Sequence, residues 1–204
     1  MTGAATAGAP RPGELPLDEL IASLTVDVPD YPEPGVLFRD LTPVFADGVA
    51  FRRMVEGLAA PAASDPRAAA VAGDGGVDGD PGFDVVVGVE ARGFLLAAAV
   101  ALASGVGVVP VRKAGKLPRE RIAADYALEY GTATLELHAD SVRPGARVLV
   151  VDDVLATGGT LGAAIALVER LGGVVTAVSV VVELAALGGR VRLAPHTVHA
   201  LWTT

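Results

Sequence analysis

Two adjacent carboxylates, Asp152 and Asp153, follow the apolar run Val148-Leu-Val-Val151, and a turn of small and hydroxylated residues, Ala156-Thr-Gly-Gly-Thr160, comes just after them. The backbone N–H groups of such a turn, with the Thr157 and Thr160 hydroxyls, can converge on one phosphate at the N-terminus of the helix that the turn opens. Gly158 and Gly159 permit the close approach. No Lys follows the glycines and the spacing is not G-x-G-x-x-G, so the run is neither a Walker A loop nor a dinucleotide fingerprint. The phosphate expected here is a monoester. Carboxylates beside it would repel it unless they serve a hydroxylated, cationic or metal-bound part of the same ligand, and a ribose ring meets that need. Without a ligand the run reads as a helix-capping Asp pair beside an ordinary glycine turn.

Positive charge is concentrated in two other places. Arg92 stands just after a β-branched run and in the first turn of a helical pattern, where a cation and a helix N-terminus can face one anion. Arg112, Lys113 and Lys116 form a cluster directly after another buried-type run, in a chain whose formal net charge is -8. The acidic balance argues against broad nucleic-acid binding, which needs a basic surface. An anion bound by this chain must therefore be met locally. His138, His196 and His199 have no metal-ligand spacing and are given no role. Asp74, Asp78 and Asp80 lack the alternation and closing Glu of a calcium loop. No Ser-His-Asp logic is visible.

The elements that must position these residues follow from apolar periodicity. Asp84–Val89, Gly107–Val111, Arg147–Val151 and Val174–Val182 are continuous β-branched runs of the kind buried on both faces of a sheet. Helical patterns lie between them, at about residues 92–103 and 160–171, the second closed by Gly172-Gly173. Alternation of strand and helix gives an α/β fold with a central, mainly parallel sheet flanked by helices. Ahead of it, Leu17, Leu20, Ile21 and Leu24 share one helical face opened by Pro16, and a second helix is expected over 48–60. The proline-punctuated stretch from Val28 through Pro43 is expected as a shaped loop or edge strand. Residues 114–127 carry mixed charge with little apolar periodicity, which suits a mobile flap.

With 204 residues and 51% hydrophobic content, one domain over 15–204 is expected. Residues 1–14 read as a disordered tail with no signal-peptide pattern, and 61–82 as a flexible surface insertion. The absence of cysteine suits the cytoplasm. The apolar stretch Phe94–Val111 is rich in Ala and Gly and ends near Pro110, so it reads as a buried helix and strand, not as a membrane span.

The run Val148–Thr160 resembles the 5-phosphoribosyl diphosphate (PRPP) motif of the type I phosphoribosyltransferases. Glu90-Ala-Arg-Gly-Phe94, Pro110–Pro118, Leu128-Glu-Tyr-Gly131 and Leu37–Pro43 are similar to segments of the adenine-using branch of that family. The resemblance implies the type I phosphoribosyltransferase fold, with a small hood and a mobile flap, and transfer of the phosphoribosyl group from PRPP to adenine, giving AMP and pyrophosphate. It implies Mg²⁺ bound through PRPP and not directly by the protein, and a homodimer. By the same resemblance Asp152 and Asp153 hold the ribose and act catalytically, while Ala156, Thr157, Gly158, Gly159 and Thr160 take the 5-phosphate. Arg92, Arg112, Lys113 and Lys116 take pyrophosphate; Leu37, Phe38, Arg39 and Val154 form the adenine pocket. Glu129 handles the base proton and Tyr130 positions the closed flap. Read from the residues alone, Phe38 is equally a core aromatic, and Leu128–Leu137 a strand with Glu129 facing outward. Two alternatives stay open at this stage: another purine as acceptor, and a PRPP-binding regulator without turnover.

Overall fold

The computed structural model describes residues 15–60, 80–127 and 132–204. The tail 1–14, most of the 61–82 insertion, and both Glu129 and Tyr130 lie outside the described residues. The chain divides into two compact units that meet between Met54 and Val55.

In the first unit, helix α1 (Leu17–Leu24) buries Leu20 and Ile21, the middle of the apolar face that the spacing predicts. Strands β1 (Val26–Pro29) and β2 (Leu37–Asp40) pair antiparallel, with Val28 opposite Phe38 and Asp27 opposite Arg39. The Arg39 guanidinium donates to the Asp27 carboxylate at 3.0 Å. One expectation needs correction here. The stretch through Pro43 does not stay extended, because helix α2 (Thr42–Ala46) begins within it. Asp40 explains the turn: its carboxylate accepts from the Thr42 N–H at 2.9 Å and the Thr42 hydroxyl at 2.6 Å, a local cap that competes with continued extension. Pro43 then sits in the first turn, where its missing N–H costs nothing. Helix α3 (Gly48–Ala59) starts the same way, with Asp47 accepting from the N–H groups of Val49 and Ala50. The unit boundary falls inside α3.

The second unit is built on a sheet whose order, among the described residues, is β5-β6-β4-β3-β7-β8-β9. Its parallel part comprises β3 (Val85–Val89), β4 (Gly107–Lys113), β7 (Arg147–Leu155), β8 (Val174–Glu183) and β9 (Val198–Thr203). Helix α4 (Arg92–Ser104) connects β3 to β4, and α5 (Gly159–Arg170) connects β7 to β8. Because β4 and β7 flank β3 on opposite sides, the strand order reverses there, and open α/β sheets place their ligands at the carboxyl ends of such a switch point. Gly172 and Gly173 close α5 as expected, donating to the Glu169 and Val168 carbonyls at 2.9 and 3.1 Å.

At the opposite, amino end of β7, Arg147 is almost fully buried and binds both Asp80 and Asp84, with bonds of 2.6 and 2.8 Å among them. Asp80 lies at the end of the insertion, so this cluster fixes where the chain re-enters the sheet. The sequence pattern gave no sign of the pairing. Within the segment expected as an aperiodic flap lies a strand, β5 (Arg121–Ala127), which pairs antiparallel with β6 (Thr132–His138). Inward-facing Ile122, Ala124 and Tyr126 alternate with exposed Arg121, Ala123 and Asp125. Two of the six are alanines, too small to mark the period-2 pattern strongly.

Candidate active site

The carboxyl ends of β3 and β7 bring together residues far apart in sequence. Asp152 and Asp153 are both buried, 8% and 7% exposed, and strand alternation sends them to different neighbours. Asp153 pairs with Arg92, Nε to Oδ2, at 2.5 Å. Asp152 lines a hollow completed by Val154 and the turn residues Ala156–Thr160. That contact between α4 and β7 depends on Gly93: a Cβ there would fall 2.9 Å from Asp152 Oδ1 and 3.0 Å from the Val151 carbonyl oxygen. Glycine at this position lets the first turn of α4 deliver Arg92 to the aspartates.

The turn after β7 has the form its sequence predicts. Gly158 adopts a φ of 81° and caps α5, whose first residue is Gly159. No side chain caps this helix, so its first N–H groups remain available to an anion. A phosphate in this cradle would meet backbone dipoles and the hydroxyl-bearing Thr157 and Thr160.

Burial, and then the charge of Asp153, push the Asp152 carboxyl well above the usual aspartate range. The fold therefore works against an ionised Asp152. A carboxyl whose folded pKa lies above its unfolded value lends no penalty at low pH, and stability is lost as pH rises through the folded value. Asp152→Asn keeps an oxygen to accept the Asp153 N–H, a bond of 2.9 Å in the parent. The variant should gain about 1 kcal/mol without ligand near pH 8, or roughly 2–4 °C in Tm. Thermal unfolding should show that advantage shrinking as pH falls toward the ordinary aspartate range. A variant less stable than the parent near pH 8 would contradict the assignment.

The Arg112 and Lys116 side chains and the Lys113 backbone N–H gather around one carboxylate, Glu90. Its side chain is 9% exposed. It forms an ion pair with Lys116, accepts from the Lys113 N–H at 2.9 Å, and lies 3.6 Å from Arg112 Nε. Burial alone would raise the Glu90 carboxyl, but these bonds and charges outweigh it and hold it below the usual glutamate range. A second buried carboxylate, Glu136 of β6, accepts from the Gly115 N–H at 3.0 Å and pairs with Arg121 at 2.9 Å. The cationic loop is thus anchored from two sides. The signal for Glu90 was its place at the end of a buried strand, two residues before Arg92; Glu136 is hidden among ordinary strand residues.

Leu37, Phe38 and Arg39 lie on β2 in the first unit. Leu37 is 46% exposed, and Phe38 meets Tyr31 edge to face with ring centroids 5.2 Å apart. Val154 lies on β7, half-buried. Among the described residues, no three His, Asp or Glu side chains gather as a metal-binding set. The Asp152 carboxyl beside the turn, with Asp153 next to it, offers oxygen donors of the kind a divalent cation accepts.

The comparisons with known proteins agree with this geometry. Residues 77–192 match the phosphoribosyl transferase domain. The adenine phosphoribosyltransferase of Salinispora arenicola is 57% identical over 185 residues, covering 91% of this chain and 90% of the relative. The chain belongs to the adenine phosphoribosyltransferase family. Family members with solved structures include the Thermoanaerobacter pseudethanolicus enzyme, at 42% identity and a TM-score of 0.81, covering 92% of this chain and 99% of that one. The Saccharomyces cerevisiae enzyme, solved with adenine and an imino-altritol bisphosphate, is 36% identical with a TM-score of 0.76, covering 91% and 98%. The mainly parallel sheet with flanking helices is the type I phosphoribosyltransferase fold of this family.

Proposed function

We propose that this protein transfers the 5-phosphoribosyl group of PRPP to adenine, giving AMP and pyrophosphate. The observation that carries the reading is the Arg92–Asp153 pair beside the turn 156–160: one switch point offers carboxylates for a ribose, a cradle for one phosphate and cations for another. A yeast relative that holds adenine with a bisphosphate supports it.

In the reaction the bond from ribose C1 to the diphosphate oxygen breaks, a bond from an adenine ring nitrogen to C1 forms, and the base gives up one proton. Positive charge grows on C1 and the ring oxygen as the diphosphate departs. Asp152 and Asp153 hold the ribose hydroxyls, and the carboxylate of Asp153 faces that charge in a nearly dry setting, where a fixed charge acts strongly. The turn 156–160 anchors the 5-phosphate, so binding energy remote from C1 helps to orient it. Arg92, Arg112, Lys113 and Lys116 receive the pyrophosphate; the Glu90 contacts of the Arg112 and Lys116 side chains are those an entering anion would exchange. Mg²⁺ on the diphosphate would neutralise charge on the leaving group. Glu129 takes the base proton, and Tyr130 steadies the flap. Leu37, Phe38 and Arg39 are assigned to the base, with Phe38 stacking on the purine, and Val154 is assigned to it as well.

Helix α4 is apolar all round, and Leu95 and Leu102 on its outer face are 59% and 86% exposed, with Val108 of β4 at 46%. An apolar face of this kind calls for a partner, and a second copy of the chain is the one proposed. Sedimentation should give twice the 20.5 kDa chain mass, and a monomer at micromolar concentration would contradict it. No helix among the described residues is long and apolar enough to cross a membrane. A cytoplasmic enzyme is proposed, in keeping with a chain that has no cysteine.

The acceptor is tested by competition. With Mg²⁺, PRPP and equal concentrations of adenine, hypoxanthine, guanine and xanthine, AMP should dominate the products. Dominance of another nucleotide would keep the chemistry and overturn the pocket assignment.

A further inference from the structure

The phosphate-facing turn is backed by a segment well beyond it in the chain. Gly189 opens the short helix α6 (Gly189–Arg192), and it lies against the turn so closely that a Cβ on it would overlap the Ala156 carbonyl oxygen and fall 2.6 Å from Leu155 Cδ1. The approach is mutual: a Cβ on Gly158 would fall 2.9 Å from the Gly189 carbonyl oxygen and 3.3 Å from its Cα. Gly158 needs glycine for its φ of 81° as well, whereas Gly189 needs it only for room. Two backbones therefore touch where any side chain would part them.

Arg190 fixes the segment that makes this contact. Its guanidinium forms an ion pair with Glu183, with Nε 3.0 Å from Oε1, and donates to the Val198 carbonyl oxygen. Glu183 is the last residue of β8 and only 5% exposed. The next residue, Leu184, donates its N–H to the Leu155 carbonyl at 2.9 Å, immediately before the turn. A closed path thus runs from the turn through Leu155, β8 and Glu183 to Arg190, and back through Gly189.

We infer that Gly189 and Arg190 are positioning residues that form a backstop for the turn 156–160 and so set its affinity for the 5-phosphate. The inference rests on the reading of that turn as the phosphate site. A cradle of N–H groups binds an anion well only if it is already in place, since each donor that must move first subtracts from the affinity. Gly189 sets how far the turn can retreat, and the Arg190–Glu183 pair keeps Gly189 there.

The test compares Gly189→Ala, Arg190→Met, Arg190→Lys and Thr157→Val with the parent, reading the Kd of AMP, KM for PRPP, kcat and Tm. A displacement of the turn by about 1 Å in Gly189→Ala should raise the AMP Kd and the PRPP KM by about tenfold or more. Arg190→Met should move both in the same direction by about threefold, with Arg190→Lys between Met and the parent because it keeps a charge facing Glu183 but not the two-pronged pairing. A role confined to holding the fold together would lower Tm and the active fraction, hence kcat, and leave Kd and KM where they were. That result in Gly189→Ala and Arg190→Met overturns the inference; if Gly189→Ala does not fold, Arg190→Met decides alone. Should Thr157→Val weaken AMP binding while the other variants do not, the backstop fails and the phosphate site stands. If all the variants bind AMP as the parent does, the phosphate reading itself fails and takes the inference with it.

Discussion

Asp153→Asn should lower kcat by about a hundredfold while changing KM for PRPP by less than about fivefold. Asparagine keeps the shape of the side chain and its ability to hold a hydroxyl, but it removes the charge. The charge matters most when C1 becomes positive, because Asp153 is 7% exposed and its field is little screened. In ground-state PRPP the sugar is neutral, so binding is affected much less. Rapid-quench measurement of AMP formation in a single turnover separates this step from product release. An unchanged rate would remove Asp153 from the chemistry, and a raised KM with normal kcat would leave it a role in binding only.

Arg92→Met should act on a different part of the ligand. Hydrogen bonds to charged groups contribute about 1.5–3 kcal/mol, so KM for PRPP, and for pyrophosphate in the reverse direction, should rise roughly 10- to 150-fold. AMP carries no diphosphate, and its Kd should move by less than about threefold by the same reasoning. The substitution also leaves Asp153 without the guanidinium 2.5 Å away, so Arg92→Lys, which retains a cation, is expected to lie between Met and the parent. Isothermal titration with AMP beside steady-state kinetics with PRPP gives both numbers. Equal losses for the two ligands would mean that Arg92 shapes the whole site and does not meet the pyrophosphate.

Much of this arrangement is legible in the sequence because it is local. The run Val148–Thr160 carries its strand, its carboxylates and its glycine turn in thirteen consecutive residues, and the structure has the same succession. The long parallel strands are legible for a related reason: burial on both faces demands continuous β-branched residues. What the sequence hides is pairing across the fold. Arg147 gives no hint of Asp80 and Asp84, nor Glu90 of Lys116, because the partners are brought together by topology. Gly189 looks like a loop residue until the turn 156–158 is seen against it. Helix α2 and strand β5 are hard to read for local reasons, a cap supplied by the Asp40 side chain and a pattern diluted by alanine. The adenine pocket stands apart from these cases. Phe38 is a flat apolar side chain on a short strand in either reading, so its chemistry speaks for a purine only in company with the family match.

Glycosyl transfer from PRPP to adenine fixes the stoichiometry of the products. Parent enzyme, Mg²⁺, PRPP and adenine should give one AMP and one pyrophosphate for each adenine consumed, with ribose 5-phosphate at no more than a trace. Tight PRPP binding without AMP, or pyrophosphate released only with ribose 5-phosphate, would contradict the account.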